Sequence, residues 1–278
     1  MSKTKNGKAK LSALWQTLLT FALAQVVSLV TAIVIWQEQD FTPITMPVPW
    51  YTFVLSFSIA TLFVLLAIKY LKGGRFFILF FYLLVAIGAM EVFSSFLISE
   101  LALLCVLIIL IIRLSAPSIW IHNLAIIVGL AGISASIGKD LTPMGVIVIL
   151  IVLSVYDYIA VYKTKTMVKM FKGLLSRGVI FSIIIPEHVK NWTVPLQKVR
   201  QGEGFMFLGT GDIALPMIFA ASVLPEGLIA SLGVIIGSLV GVLCIHLIFN
   251  IQKKRAPMPA LPPIAFFSIL GYLISMFI

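Results

Sequence analysis

Two aspartates stand in stretches that otherwise have the composition of membrane spans. One is in Leu153-Ser154-Val155-Tyr156-Asp157-Tyr158-Ile159-Ala160, the other in Phe207-Leu208-Gly209-Thr210-Gly211-Asp212-Ile213-Ala214-Leu215-Pro216. A carboxylate near mid-bilayer costs roughly 3 kcal/mol on insertion scales, so a segment that keeps one usually has a use for it. Two carboxyls sharing a low-dielectric site cannot both ionise, and one proton is held between them. The ionised member can accept a proton from water while the protonated one donates to an amide carbonyl oxygen. The roles then reverse as the amide breaks. Which aspartate holds the proton first is a property of the pair. Gly209 and Gly211 leave the backbone beside Asp212 uncovered and permissive.

The frame for this pair is set by composition. Of 278 residues, 61% are hydrophobic and 11% charged, with a mean hydropathy of +1.14, which excludes an ordinary soluble domain. Lipid admits only helices or closed barrels, and apolar runs of about 20 residues select helices. The net charge of +10 would suggest nucleic acid in a soluble chain. Here the basic residues gather in loops on one side, so the expected partner is the lipid bilayer and not nucleic acid. Cys105 and Cys244 fall inside apolar spans and read as packing residues. Lys3, Lys5, Lys8 and Lys10, followed by an apolar run and Ala22-Leu23-Ala24, resemble a signal peptide. The run continues to Trp36, which favours an uncleaved first helix.

Nine spans are expected: Leu11–Trp36, Trp50–Ile68, Phe76–Leu97, Leu101–Ile112, Ile119–Ile137, Leu141–Tyr162, Phe205–Leu224, Gly227–Asn250 and Leu261–Ile278. With the N-terminus in the cytoplasm, every Lys and Arg except Lys139 lies on the cytoplasmic side. Glu38, Asp40, Glu100, Asp140 and Glu226 lie outside. The expected fold is therefore an all-α polytopic membrane protein, N-terminus cytoplasmic and C-terminus extracytoplasmic. It divides into residues 1–163 (helices 1–6), a cytoplasmic loop at 164–204, and residues 205–278 (helices 7–9). Within the loop, Lys163 to Lys172 reads as a basic amphipathic piece on the anionic inner leaflet. Gly178 to Pro186 is β-branched, too short to span, and either a strand or a buried re-entrant piece. Gly233, Gly237 and Gly241 are spaced for close helix packing.

Spans 6 and 7 are antiparallel across the loop. Asp157 lies six residues before Lys163, about 9 Å at the helical rise, and Asp212 nine residues after Glu203, about 13 Å. Both carboxyls thus fall in the cytoplasmic half at similar depth. Each could merely hydrogen-bond a neighbouring helix, and paired carboxylates also serve proton and cation paths. A third element separates these readings. Pro257-Met258-Pro259-Ala260-Leu261-Pro262-Pro263 opens span 9 on the same side, and its prolines leave backbone groups unpaired at membrane depth. Such a segment suits a site that holds a substrate backbone open for hydrolysis. A helical substrate must unwind first, and pairing it as an added strand would do so. Gln201–Phe207 is a candidate edge.

Tyr156-Asp157, Gly209-Thr210-Gly211-Asp212 and Pro259-Ala260-Leu261, in that order, resemble the presenilin and signal peptide peptidase group of intramembrane aspartyl proteases. The cytoplasmic N-terminus and the Pro-Ala-Leu-Pro form are most similar to a microbial, archaeal presenilin homologue. The span 6–7 loop is shorter than in eukaryotic presenilins, so that family's maturation cut does not carry over. The resemblance implies that Asp157 and Asp212 are the catalytic pair. It implies that Gly209 and Gly211 let the backbone approach substrate and partner helices, that Thr210 tunes site shape, that Tyr156 orients or shields Asp157, and that Pro259, Ala260 and Leu261 shape the cleft.

Glu91, near Ser94 and Ser95, reads as an interhelical hydrogen-bond partner, and the scattered His122 and His246 do not make a metal site. The expected protein cuts transmembrane-helix substrates within the cytoplasmic half of the cell membrane, with no cofactor beyond water and no metal. It acts without partner subunits, and its oligomeric state is open. The alternatives are a carboxylate-dependent cation or proton channel and a prepilin-type Gly-x-Gly-Asp peptidase. The latter has fewer spans and lacks the Pro-Ala-Leu element.

Overall fold

The computed structural model describes residues 2–38, 49–71, 74–164, 166–175, 177–200, 204–251 and 258–277. Its helices are α1 (Ser2–Gln37), α2 (Trp50–Tyr70), α3 (Arg75–Ser94), α4 (Ser99–Ser115), α5 (Ile119–Asp140) and α6 (Pro143–Tyr158), then α7 (Thr166–Leu175), α8 (Thr210–Ser222), α9 (Leu228–Ile251) and α10 (Leu261–Ser275). Two strands, β1 (Ser182–Pro186) and β2 (Phe205–Gly209), lie between α7 and α8. Among the described residues, six helices are long and apolar enough to cross a membrane: α1, α2, α3, α5, α9, and α6 taken with the π turn Ile159–Lys163 that continues it. The chain is an integral, multi-pass membrane protein.

The seventh span departs from expectation. A helix from Phe205 is anticipated, but Phe205–Gly209 is a strand, and Gly209 stays extended at φ −61°, ψ 143° before α8 begins. The helical arithmetic for the depth of Asp212 therefore does not hold. The reason is pairing: Phe205 to Gly209 find partners in Pro186 to Ser182 of β1. The thirteen residues of α8 reach only about 20 Å, short of a hydrocarbon core of about 30 Å. Protein encloses this short helix, with Ile213 and Phe219 fully buried. Gly178–Pro186 resolves as the strand alternative, and every residue of β1 is buried. The amphipathic piece is α7. Asp40, Lys72, Gln201 to Glu203, Lys253 to Arg255 and Pro257 lie outside the described residues.

Small residues draw the central helices together. Gly88 of α3 meets the backbone at Gly129 of α5, and Gly132 meets the backbone at Gly88. Gly138 lies against Ala221 of α8. In α9, Gly233, Gly237 and Gly241 face Gly271, Phe267 and Ile264 of α10, as their spacing predicts. These contacts also give direction. Gln25 and Trp36 of α1 bond to Ile213 and Ala221 of α8, so those helices run parallel, whereas α9 and α10 run antiparallel. The outcome is a dense centre around α5 and α8 and a sparse edge at α2. Of the most apolar stretch, 72% is buried in α5 and 6% in α2.

Candidate active site

Asp157 lies in the last turn of α6 and Asp212 in the first turn of α8. They are 6% and 7% exposed and are the only buried acidic side chains among the described residues. The two carboxyls are close enough to interact electrostatically.

Each is held by backbone amides, in different ways. Gly209 is the N-cap of α8, so Asp212 is its third residue. From that position a carboxylate can reach back to the N-cap amide, and the Gly209 amide lies beside it. A Cβ at Gly209 would lie 2.9 Å from Asp212 Oδ2, so a side chain there would push the carboxyl aside. Pro216, four residues after Asp212, has no N–H to give, leaving the Asp212 carbonyl without its helical donor. Asp157 Oδ2 accepts from the Leu261 amide at 3.3 Å, and the Ala260 amide faces the same carboxyl. Thr142 Oγ1 caps the far end of α6 by accepting from Gly145 N–H at 3.2 Å, and Pro143 opens the helix. Two residues past Asp157 the helix widens into its π turn, where Thr164 N–H reaches Ile159 O at 3.0 Å. Single π turns of this kind occur often at functional sites.

The proline-rich element differs in detail from expectation. Pro259 is buried, Ala260 is the N-cap of α10, and Pro262 and Pro263 fall in its first turn. A missing N–H costs nothing there, so these prolines start a helix and do not leave a run of open backbone. The Leu261 amide is paired, and its partner is Asp157.

The remaining expected residues separate. Thr210 is the first, half-buried residue of α8. Among the described residues, a Cβ at Gly211 would meet nothing within 4 Å, so that side of Gly211 borders open space. Tyr156 is 39% exposed, and its ring packs edge-on against Phe57 of α2 with centroids 6.0 Å apart. It ties α6 to α2. Glu91 Oε2 accepts from Ser136 of α5 at 3.0 Å, the interhelical role expected of it. Cys105 and Cys244 are free thiols. No group of three or more His, Cys, Asp or Glu fit to hold a metal occurs among the described residues.

The sheet runs straight into the site. On one side, β2 pairs with β1 and then enters α8. Its other edge carries no strand partner among the described residues. From α7, Phe171 packs on Phe207 at 5.2 Å, and Met167 reaches toward Gly209. Sequence reasoning missed two buried polar residues, Gln25 and Asn123, and gave His122 no role beyond excluding a metal site. Gln25 Nε2 donates to Ile213 O at 3.4 Å, one residue from Asp212. His122 and Asn123 bond to the backbone of β1. Their signal is an amide or imidazole inside an apolar run, which faces the protein interior for the reason that buried carboxylates do.

The sequence pattern described as "Signal-peptide peptidase, presenilin aspartyl protease" matches residues 17–278. The chain belongs to this family, whose members are intramembrane aspartyl proteases. No curated protein matches. Two crystal forms of a presenilin family intramembrane aspartate protease resemble the fold, at TM-scores of 0.63 and 0.64 and 22% identity. The likeness covers 93% of this chain in each case, and 95% and 98% of those chains.

Proposed function

We propose that this protein is an intramembrane aspartyl protease that hydrolyses peptide bonds of transmembrane helices with Asp157 and Asp212. The observation that carries this reading is the pair itself. The only two buried acidic side chains described lie in the last turn of α6 and the first turn of α8, two helices that pack against each other. One carboxylate takes a proton from water as the water oxygen attacks the scissile carbonyl carbon. The other carboxyl protonates the carbonyl oxygen. Collapse of the tetrahedral species breaks the C–N bond, and the nitrogen leaves with a proton returned by the dyad.

Gly209 gives Asp212 room, Thr210 and Gly211 border the cleft, and Pro259, Ala260 and Leu261 form its third side. Tyr156 sets the α2 wall. The free edge of β2 is the surface on which an unwound substrate adds as a strand, its backbone bonds replacing those of its own helix. The topology that fits is nine crossings with the N-terminus in the cytoplasm and the C-terminus outside, in the cell membrane. The parallel run of α1 with α8 and the antiparallel run of α9 with α10 both agree with that alternation. Residues 1–163, 164–204 and 205–278 then act as the two halves of the site and the loop that joins them. The enzyme works without cofactor or partner subunit.

The test is cleavage of a single-span substrate in reconstituted membranes by wild type, Asp157→Ala and Asp212→Ala. Product from wild type alone supports the dyad. Product that survives both changes removes it, and Asp-dependent ion flux without proteolysis would favour a channel.

A further inference from the structure

A strand has two edges, and the backbone groups of alternate residues point to opposite ones. In β1, Ser182 and Ile184 address α5. Asn123 Nδ2 donates to Ile184 O at 2.7 Å, and Asn123 Oδ1 accepts from Ile184 N–H at 3.0 Å. One side-chain amide therefore fills both groups of one residue, as a neighbouring strand would. His122 contacts Ser182 O through Nε2 at 3.2 Å and Arg113 Nη2 through Nδ1 at 3.2 Å. A guanidinium only donates, so Nδ1 is the acceptor, and the proton on Nε2 is given to Ser182. Phe81 holds the imidazole by stacking at 5.6 Å and 12°. Asn123 and His122 are 2% and 0% exposed, so water does not replace these bonds.

We propose that Asn123, assisted by His122, is a positioning residue that fixes the register of the β1–β2 sheet and thereby selects which substrate peptide bond is cut. This rests on the strand-addition reading above. With β2 on one edge and the α5 side chains on the other, β1 is fully occupied, so an incoming chain meets only β2. A two-residue slide of β1 one way would bring Pro186, which has no N–H, to Asn123. A slide the other way would bring Ser182 there and leave His122 to the carbonyl of Ile180, which lies outside the strand. A one-residue slide turns the backbone groups away altogether. Only one register satisfies α5. Because β2 leads through Gly209 into Asp212, that register is also the offset between the open edge and the carboxyls. A substrate strand paired with β2 inherits it.

The experiment uses the full chain in phosphatidylcholine–phosphatidylglycerol vesicles with a synthetic single-span peptide, and reads product masses. Asn123→Ala should raise products cut at neighbouring bonds, relative to the principal one, by roughly tenfold. The isosteric Asn123→Asp keeps the acceptor and loses the donor, and should raise them by less. Ser28→Ala removes another buried bond, to Ala131 O at 3.3 Å away from the sheet, and should leave the ratio unchanged. The ratio is a property of whatever fraction folds, so a poorly expressed variant still reports. Wild-type ratios in both Asn123 variants would overturn the proposal, whatever their total rate. Absence of wild-type product, or product made without the aspartates, would overturn the protease reading itself, an outcome distinct from an unaltered ratio.

Discussion

Asp212 and Asp157 stand on helices built in opposite ways. The helix of Asp212 is short and enclosed: from Leu215 to Ser222 each side chain of α8 is buried. Trp36 of α1 donates to Ala221 O at 3.0 Å, and Ser231 of α9 to Ala220 O at 2.8 Å. The helix of Asp157 is longer but peripheral. Tyr156, Tyr158 and Tyr162 around its end are all exposed, and the helix beside it, α2, has Ala67 as its one buried residue. At the end nearer α7, α2 is also tied through Arg177. That guanidinium caps the helix at Ile68 O (2.6 Å) and Leu71 O (3.3 Å) while also holding Gly173 O of α7 (2.8 Å). One carboxyl is thus set in the core and its partner in a lipid-facing wall.

Chemistry should erase this contrast. Asp157→Ala and Asp212→Ala should each reduce cleavage by at least about a thousandfold, and the double variant should be no worse, because residues acting as a unit are not additive. A clear difference between the single variants in the cleavage assay would break the symmetry of the pair.

The two glycines should restore it. Gly209→Ala places a methyl group 2.9 Å from Asp212 Oδ2, and kcat should fall by roughly a hundredfold, the usual penalty for a shift of about 1 Å. Gly211→Ala enters open space and should leave thermal stability unchanged, with its cost confined to KM. Equal kcat in the two would show that Gly209 does not set the carboxyl.

Stability should separate the walls further. Trp36→Phe removes one buried bond to α8, worth about 1 kcal/mol, and should lower Tm by about 2–4 °C in detergent. Arg177→Ala removes three bonds at the edge and should leave the global Tm nearly unchanged. Its effect should instead appear as faster hydrogen exchange in the last turn of α2. A global loss from Arg177→Ala larger than that from Trp36→Phe would show that α2 is part of the core.

Much of this was legible in the chain. Long apolar runs and the sidedness of Lys and Arg gave most of the helices, since each depends only on local composition. The carboxyls stood out because an acidic residue in lipid is costly wherever the chain folds. Gly233, Gly237 and Gly241 announced their seam because a row of small residues has one physical consequence. The start of the seventh helix was not legible. Phe205-Met206-Phe207-Leu208 is apolar enough for a span, and only a partner strand 19 to 25 residues earlier makes it extended.

The sequence by itself determined that the protein is a helical membrane protein with two acidic residues in apolar surroundings, because composition and the cost of burying charge do not depend on contacts. The tertiary structure decided that Pro262 and Pro263 open a helix whose Leu261 amide holds Asp157, and that Gly209 and Gly211 have different neighbours. It also decided that His122 and Asn123 complete a sheet edge. These are matters of which backbone group each residue meets. A buried hydrogen bond needs its partner at about 3 Å in one direction, and residues sixty or a hundred positions apart reach that geometry only when the whole bundle has closed.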